Sequence, residues 1–263
     1  MDMSANQRIR IALVLAAVIF AVLYFFFPKD EEKPVGAIRV GAGKDITGVL
    51  LDSIVAEAQK DDNQESIMTA YVFVDCCSNT AQWALQAEEI DLGFYCSSAA
   101  ISMMNKVDGF ELYAPIIMNS EVIATLPGEQ EIQSVGIPRK RTFLGDLITK
   151  GYPQVSEIRE IDRTYIAYSV KLGEVDGAVL DVMDASTTAG DFDYRPMTNQ
   201  PYISYCMVVR EELIGTEIFN DFLRYYESAV EKLNTTEEKI RLMKMDEAFW
   251  EMSMLEFLPI SDW

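Results

Sequence analysis

Arg139, Lys140 and Arg141 form the one dense basic triplet in a chain of 263 residues that sets 22 Lys and Arg against 42 Asp and Glu, a formal charge of −20. A planar guanidinium in that position can grip a carboxylate or sulfonate through two parallel N–H bonds; the triplet reads equally as solvated surface charge. Asp181 can hold an ammonium group or cap the segment that follows it. Tyr95, Tyr165 and Tyr202 can stack on a planar ligand or pack half buried near strand ends. The chain has no histidine, which removes imidazole-based zinc sites, Ser-His-Asp and Cys-His nucleophiles and histidine general bases. Its four cysteines are Cys76, Cys77, Cys96 and Cys206. Only one adjacent pair exists among them, which is not metal-ribbon spacing, so no metal or other cofactor is expected. Asp61-Asp62 and Glu88-Glu89 are neighbours in sequence, point apart on a helix or strand, and form no carboxylate dyad. A chain this acidic repels polyphosphate, so a nucleic-acid partner is not expected. The apolar fraction of 49% is ample for a packed core.

The elements that must position these residues alternate in type. Ala37 to Ala42 is a β-like run, and Asp45-Ile-Thr-Gly opens a helix whose apolar positions Leu50, Leu51, Ile54, Val55 and Ala58 recur at spacings of three and four. Met68 to Val74 is β-branched and aromatic, Thr80 to Ala87 is helical again, and Ile90 to Tyr95 is a third short strand. This rhythm predicts an α/β fold with parallel pairing. Toward the C-terminus, Glu217 to Leu233 carries Phe219, Phe222, Leu223, Tyr226 and Val230 on one face. Thr235 and Glu238 stand at capping-box spacing ahead of a further helix expected over Ile240 to Leu258.

At the N-terminus, Ile11 to Phe27 runs seventeen residues without charge and ends at Pro28. That is enough to span a bilayer as a helix. Arg8 and Arg10 precede it and an acid-rich linker follows, so the positive-inside bias predicts a cytoplasmic N-terminus and an extracytoplasmic remainder. Neither a small-residue cleavage site nor a lipidation cysteine follows the apolar run, and an uncleaved anchor is expected.

An internal echo adds to this. Leu85-Gln-Ala-Glu-Glu-Ile-Asp-Leu-Gly-Phe matches Val170-Lys-Leu-Gly-Glu-Val-Asp-Gly-Ala-Val at an offset of about 85 residues. That offset is far too long for a solenoid and suits two similar α/β halves. In each copy a helix ends, a tight turn carries Glu, an apolar residue and Asp, and a buried strand runs to a polar tip, Cys96-Ser-Ser or Asp181.

Asn79-Thr-Ala-Gln-Trp-Ala-Leu-Gln-Ala-Glu-Glu-Ile-Asp-Leu-Gly-Phe, Leu172-Gly-Glu-Val-Asp-Gly-Ala-Val and Ile38-Arg-Val-Gly-Ala-Gly together resemble the type II periplasmic solute-binding proteins. The narrower resemblance is to the group serving ABC importers of nitrate, sulfonates, taurine and thiamine precursors. It spans about Ala37 to Trp263 and implies a two-lobed clamshell. Lobe one would comprise residues 37–118 and 206–263, and lobe two residues 119–205. Ahead of them come a cytoplasmic stretch 1–10, an anchor 11–28 and a linker 29–36. The crossings would lie near Ile117 to Ala124 and Tyr202 to Val208. The returning strand would bring Cys206 near Cys96, where a disulfide is conceivable.

In such a clamshell a ligand lies between the lobes at the carboxyl ends of the strands, facing helix N-termini. The resemblance therefore places the ligand contacts at Asp45 and Thr47; at Ser78, Asn79 and Thr80; and at Tyr95, Cys96 and Ser97. Asn119 at the crossing joins them, as do Arg139, Arg141 and Thr142, then Thr164 and Tyr165, and finally Asp181. Ser78, Asn79 and Thr80 read as well as plain N-caps. The function implied is a membrane-anchored, non-enzymatic solute-binding protein that delivers a small molecule to an ABC permease, with Arg139 and Arg141 favouring an organic anion. A non-transport sensor or assembly protein on the same clamshell is the alternative. A degenerate thiamine-pyrimidine-synthase-like enzyme, faintly suggested by Cys76-Cys77, lacks the histidines of that branch.

Overall fold

The structure is a computed structural model and describes residues 37–61, 67–73, 79–129 and 131–260. The expected anchor at 11–28, its flanks 1–10 and 29–36, and Cys76, Cys77 and Ser78 lie outside those residues. Among the described residues no helix is long and apolar enough to cross a membrane.

The chain from Ala37 onward alternates strand and helix as its hydrophobic periods require. Strand β1 (Ile38–Gly43) feeds α1 (Ile46–Ala58), whose stripe Leu50, Leu51 and Ile54 is buried. Then follow β2 (Met68–Phe73), α2 (Asn79–Gln86), β3 (Leu92–Cys96), α3 (Ser97–Met104) and β4 (Phe110–Met118). After a crossing come β5 (Glu121–Thr125), β6 (Ser134–Pro138), α4 (Phe143–Gly151), β7 (Glu157–Ile161), α5 (Ile166–Lys171), β8 (Gly177–Asp181), α6 (Val182–Thr187) and β9 (Asp193–Pro196). The chain closes with β10 (Ile203–Arg210), α7 (Glu217–Leu233), α8 (Thr236–Met243), α9 (Glu247–Ser253) and β11 (Glu256–Phe257).

These strands form two sheets, one ordered β11-β4-β10-β3-β1-β2 and the other β7-β6-β8-β5-β9. Each contains a parallel trio, β2-β1-β3 and β7-β6-β8, flanked by an antiparallel strand, β10 beside β3 and β5 beside β8. Period-2 alternation divides the second sheet's side chains between two cores. Val122, Ala124, Ala178 and Leu180 join the large cluster that also holds Val40, Leu92 and Met207 of the first sheet. Ile123, Val135, Ile137 and Val179 instead pack with Leu144 and Ile148 of α4.

The internal echo acquires a physical content here. In the first half the N–H groups of Ala87, Glu88 and Glu89 donate to the carbonyls of Trp83, Leu85 and Ala84. In the second, those of Leu172, Gly173 and Glu174 donate to Tyr168, Val170 and Ser169. This is one helix-ending motif built twice, with a left-handed residue at its centre: Glu88 at φ 56° and Gly173 at φ 69°. The aspartate two residues beyond each motif ties in the neighbouring parallel strand. Asp91 accepts the Arg39 N–H at 3.0 Å and its guanidinium at 2.8 and 2.5 Å. Asp176 accepts the N–H groups of Gln133 and Ser134 at 2.9 and 2.8 Å and the Ser134 hydroxyl at 2.9 Å.

Three expectations are corrected. The single helix over Ile240 to Leu258 is instead α8, α9 and the short β11. Lys244 and Met254 turn left-handed at φ 54° and 56°, and Asp246 starts α9 afresh by accepting the Phe249 N–H at 2.9 Å. The capping box is half formed: Thr235 accepts the Glu238 N–H at 3.3 Å, while the Glu238 carboxylate turns to Arg241 at 2.8 and 2.6 Å. As for the cysteines, β10 does run beside β3, but Cys96 stands opposite Tyr205 and Cys206 opposite Tyr95. Partners across an antiparallel ladder share a face, so this one-residue offset sends the two cysteine side chains to opposite faces and away from a bridge. Burial, then the nearby Cys96, pushes the Cys206 thiol up to about 11, which keeps it protonated and a poor nucleophile.

Candidate functional site

Asp45 caps α1 because its short carboxylate reaches the N–H of Thr47 at 3.0 Å, and it also receives the Thr47 hydroxyl at 2.5 Å. The Thr47 hydroxyl in turn accepts the Gly43 N–H at 2.9 Å, which fixes the turn leaving β1. Asp181 ends β8 and caps α6 in the same way, accepting the Met183 N–H at 2.9 Å. Both carboxylates are buried, at 2% and 4% exposure, and they belong to different sheets.

Contacts between these tips run from one sheet to the other. The Ile46 N–H, at the start of α1, donates to Asp181 at 3.3 Å, and the Tyr205 hydroxyl from β10 donates to its other oxygen at 3.4 Å. Arg163, in the turn between β7 and α5, reaches Asp184 at 2.9 Å on its own side. Across the gap it reaches Asp45 at 3.5 Å and the Lys44 carbonyl at 3.5 Å. Burial, followed by the neighbouring Asp45 carboxylate, holds the Asp181 pKa well above the ordinary carboxylate range, with the Arg163 charge opposing. The meeting place therefore contains Asp45, Asp181 and Asp184 against the Arg163 guanidinium, at the carboxyl ends of both parallel trios.

A second polar network lies at the crossing strands. Glu121 opens β5 directly opposite Asp181 on β8 and is fully buried. One oxygen lies 2.6 Å from Nη2 of Arg141; the other accepts the hydroxyls of Tyr202 and Ser204, both at 2.9 Å. The Arg141 guanidinium also lies over the Tyr205 ring, 5.2 Å from its centroid. Burial, then Glu121, raises the Tyr202 pKa far enough that the phenol stays a donor. Asn119, left-handed at φ 55°, donates its N–H to the Tyr202 carbonyl at 3.2 Å, accepts the Tyr202 N–H on its side-chain oxygen at 3.1 Å, and donates its side-chain NH2 to the Met254 carbonyl at 3.0 Å. The first crossing is thus clamped to the second and to the end of α9.

The sequence-derived contacts separate accordingly. Asp45, Thr47 and Asp181 come together between the sheets. Arg141 and Asn119 sit at the crossings, where the carboxylate Arg141 holds is one of the chain's own, Glu121. Tyr95 is buried with its hydroxyl on the Ala81 carbonyl at 3.0 Å, and Cys96 is the buried residue ahead of α3, followed by half-buried Ser97. Asn79 is the first residue of α2, and Thr80, next to it, is exposed. Arg139 and Thr142 are exposed where α4 begins. Thr164 and Tyr165 are exposed beside Arg163, their hydroxyls given to Asp162 at 2.6 Å and Glu174 at 2.8 Å. Sequence reasoning missed Arg163, Tyr205, Glu121 and Asp184. The available signal was charge: two acidic strand tips brought together demand a nearby cation, and Arg163 directly precedes two residues already selected.

No protein-family model matches the chain, and no curated protein matches it by sequence. Solved structures do. The ligand-binding component of an ABC-type import system from Staphylococcus aureus, determined with zinc bound, superposes with a TM-score of 0.67 at 13% identity, covering 84% of each chain. The periplasmic aliphatic sulphonate binding protein SsuA from Escherichia coli gives 0.59 at 14% identity, covering 83% of this chain and 82% of that one. The methionine-binding protein MetQ gives 0.57 at 15% identity over 80% and 96%. The chain has the two-sheet α/β fold of type II periplasmic binding proteins.

Proposed function

We propose that this chain is a solute-binding protein that takes up a small molecule between its two sheets and passes it to an ABC-type import permease without catalysing a reaction. On this reading residues 11–28 anchor it in the membrane and the remainder is extracytoplasmic. The observation that supports it most is the convergence of Asp45, Asp181, Arg163, Tyr205 and the α1 N-terminus from both sheets at the ends of the parallel strands, the place where open α/β sheets hold ligands. The fold shared with binding components of import systems agrees with it.

The charge balance changes the ligand expected. An organic anion followed from Arg139 and Arg141, but Arg141 already holds Glu121 and Arg139 lies on the surface. Between the sheets carboxylates outnumber the guanidinium, so the solute favoured carries an ammonium or guanidinium nitrogen. The zinc in the Staphylococcus aureus structure belongs to that protein; among the described residues no group of three or more His, Cys, Asp or Glu is placed to hold a metal ion. The test is a thermal-shift series on the full chain with amines, guanidines, amino acids, carboxylates and sulfonates. A solute at a hundredfold excess over its Kd adds about 2.7 kcal/mol, or about 5–10 °C for a domain of this size. Shifts with amines that vanish in Asp181→Ala support the reading. Shifts with sulfonates alone restore the anion, and no shift with any class, together with no uptake defect on deletion, removes the transport role.

A further inference from the structure

The contacts that span the two sheets are bonds the chain makes to itself. Four converge on one small region: Ile46 N–H to Asp181 at 3.3 Å, Tyr205 hydroxyl to Asp181 at 3.4 Å, and Arg163 to Asp45 and to the Lys44 carbonyl, each at 3.5 Å. All four are long, at the outer limit of hydrogen bonding, whereas the bonds each group makes within its own half are shorter. Arg163 to Asp184 is 2.9 Å, Asp181 to Met183 is 2.9 Å and Asp45 to Thr47 is 2.5 Å. Contacts of this kind are weak one by one and break together when the two sides separate.

We infer that Arg163 is an autoinhibitory latch: its guanidinium, anchored on Asp184, reaches across to Asp45 and the Lys44 carbonyl and ties the two sides together over the site that the proposed function assigns to the solute, on which reading the latch is autoinhibitory. Asp45, Ile46 and Asp181 stand at helix starts and Tyr205 is fully buried within β10, whereas Arg163 is a long side chain in a turn and can swing aside without disturbing a helix start. It is partly exposed at 23% while Asp45 is fully buried, so the latch can be released from the solvent side. A solute entering the site must displace the guanidinium, which lowers its apparent affinity by the fraction of molecules that are latched.

The test uses the full chain with spin labels on genetically encoded, cysteine-independent residues at exposed positions Asp52 in α1 and Lys150 in α4. The inter-label distance distribution is read by pulsed electron resonance with no solute added. Wild type is expected to give one short distance, and Arg163→Gln a second, longer one with about a five- to tenfold larger open fraction, the range that loss of a few weak polar contacts produces. Asp184→Asn, which removes the anchor from the other end, is expected to do the same. Arg159→Gln, whose ion pair to Glu157 stays on one strand, is expected to change nothing. An unchanged distribution in both Arg163→Gln and Asp184→Asn overturns the latch, as does a wild type already open. Because the readout needs no solute, the latch can stand or fall separately from the transport role.

Discussion

Replacing Arg141 by Met probes a deeply buried ion pair. Glu121 is 0% exposed and the Arg141 side chain 7%, at 2.6 Å. Tyr202 and Ser204 both donate to the other Glu121 oxygen, so neither compensates the oxygen facing Arg141. Removing the guanidinium strands a carboxylate in a low-dielectric interior, at a cost of about 3–5 kcal/mol. For a domain of this size that is a fall in Tm of about 6–20 °C. Replacing both partners leaves no charge behind, and Glu121→Gln/Arg141→Met is expected within about 1 kcal/mol of wild type, because a neutral pair of similar volume retains the Tyr202 and Ser204 bonds. Urea denaturation of the four proteins, followed by circular dichroism, gives the coupling energy directly. A single-variant loss below about 1 kcal/mol, or a double variant as unstable as the sum of its parts, would show that the pair does not carry the crossing. The double variant also decides whether Arg141 grips a solute: a stable protein that no longer binds would return Arg141 to the ligand site.

Two further expectations follow from the same geometry. The folded protein keeps the Asp181 proton to a higher pH than the unfolded chain does, so wild-type stability falls as pH rises from about 4 toward that raised value, and the penalty is complete above it. Asp181→Asn is expected to flatten this part of a Tm-against-pH curve and to exceed wild type at about pH 8; parallel curves would contradict the buried-carboxyl account. At the repeated helix ends, Glu88→Gly is expected to gain about 0.5–1 kcal/mol by relieving a left-handed glutamate, and Gly173→Ala to lose a similar amount, measured by chemical denaturation. Effects of equal sign at the two sites would break their equivalence.

The two-sheet α/β fold was legible because its determinants are local. The three-and-four spacing of Leu50, Leu51 and Ile54 specifies a helix wherever it occurs, and the repeated Glu, apolar, Asp turn specifies how a helix hands over to a buried strand. The structure shows why the same letters recur 85 residues apart: one residue must turn left-handed, and the aspartate two or three positions on must satisfy the backbone of the adjacent strand. Local patterning failed at the C-terminus, where Ile240 to Leu258 is helical in period but broken by left-handed Lys244 and Met254 and by the fresh cap at Asp246.

What the residues determined alone was chemistry by exclusion and position by period. With no histidine in the chain, imidazole chemistry is absent whatever the fold, and a polar residue just after a buried strand stands at a sheet edge whichever sheet it joins. Which of those tips face one another was decided only in three dimensions. Arg141 and Arg163 are alike in sequence, each a guanidinium in a turn following a strand. The packing gives the first to Glu121 inside one half and sends the second across to Asp45, because a charge taken from water binds the nearest compensating partner, and nearness between residues more than a hundred apart in the chain is a property of the assembled sheets.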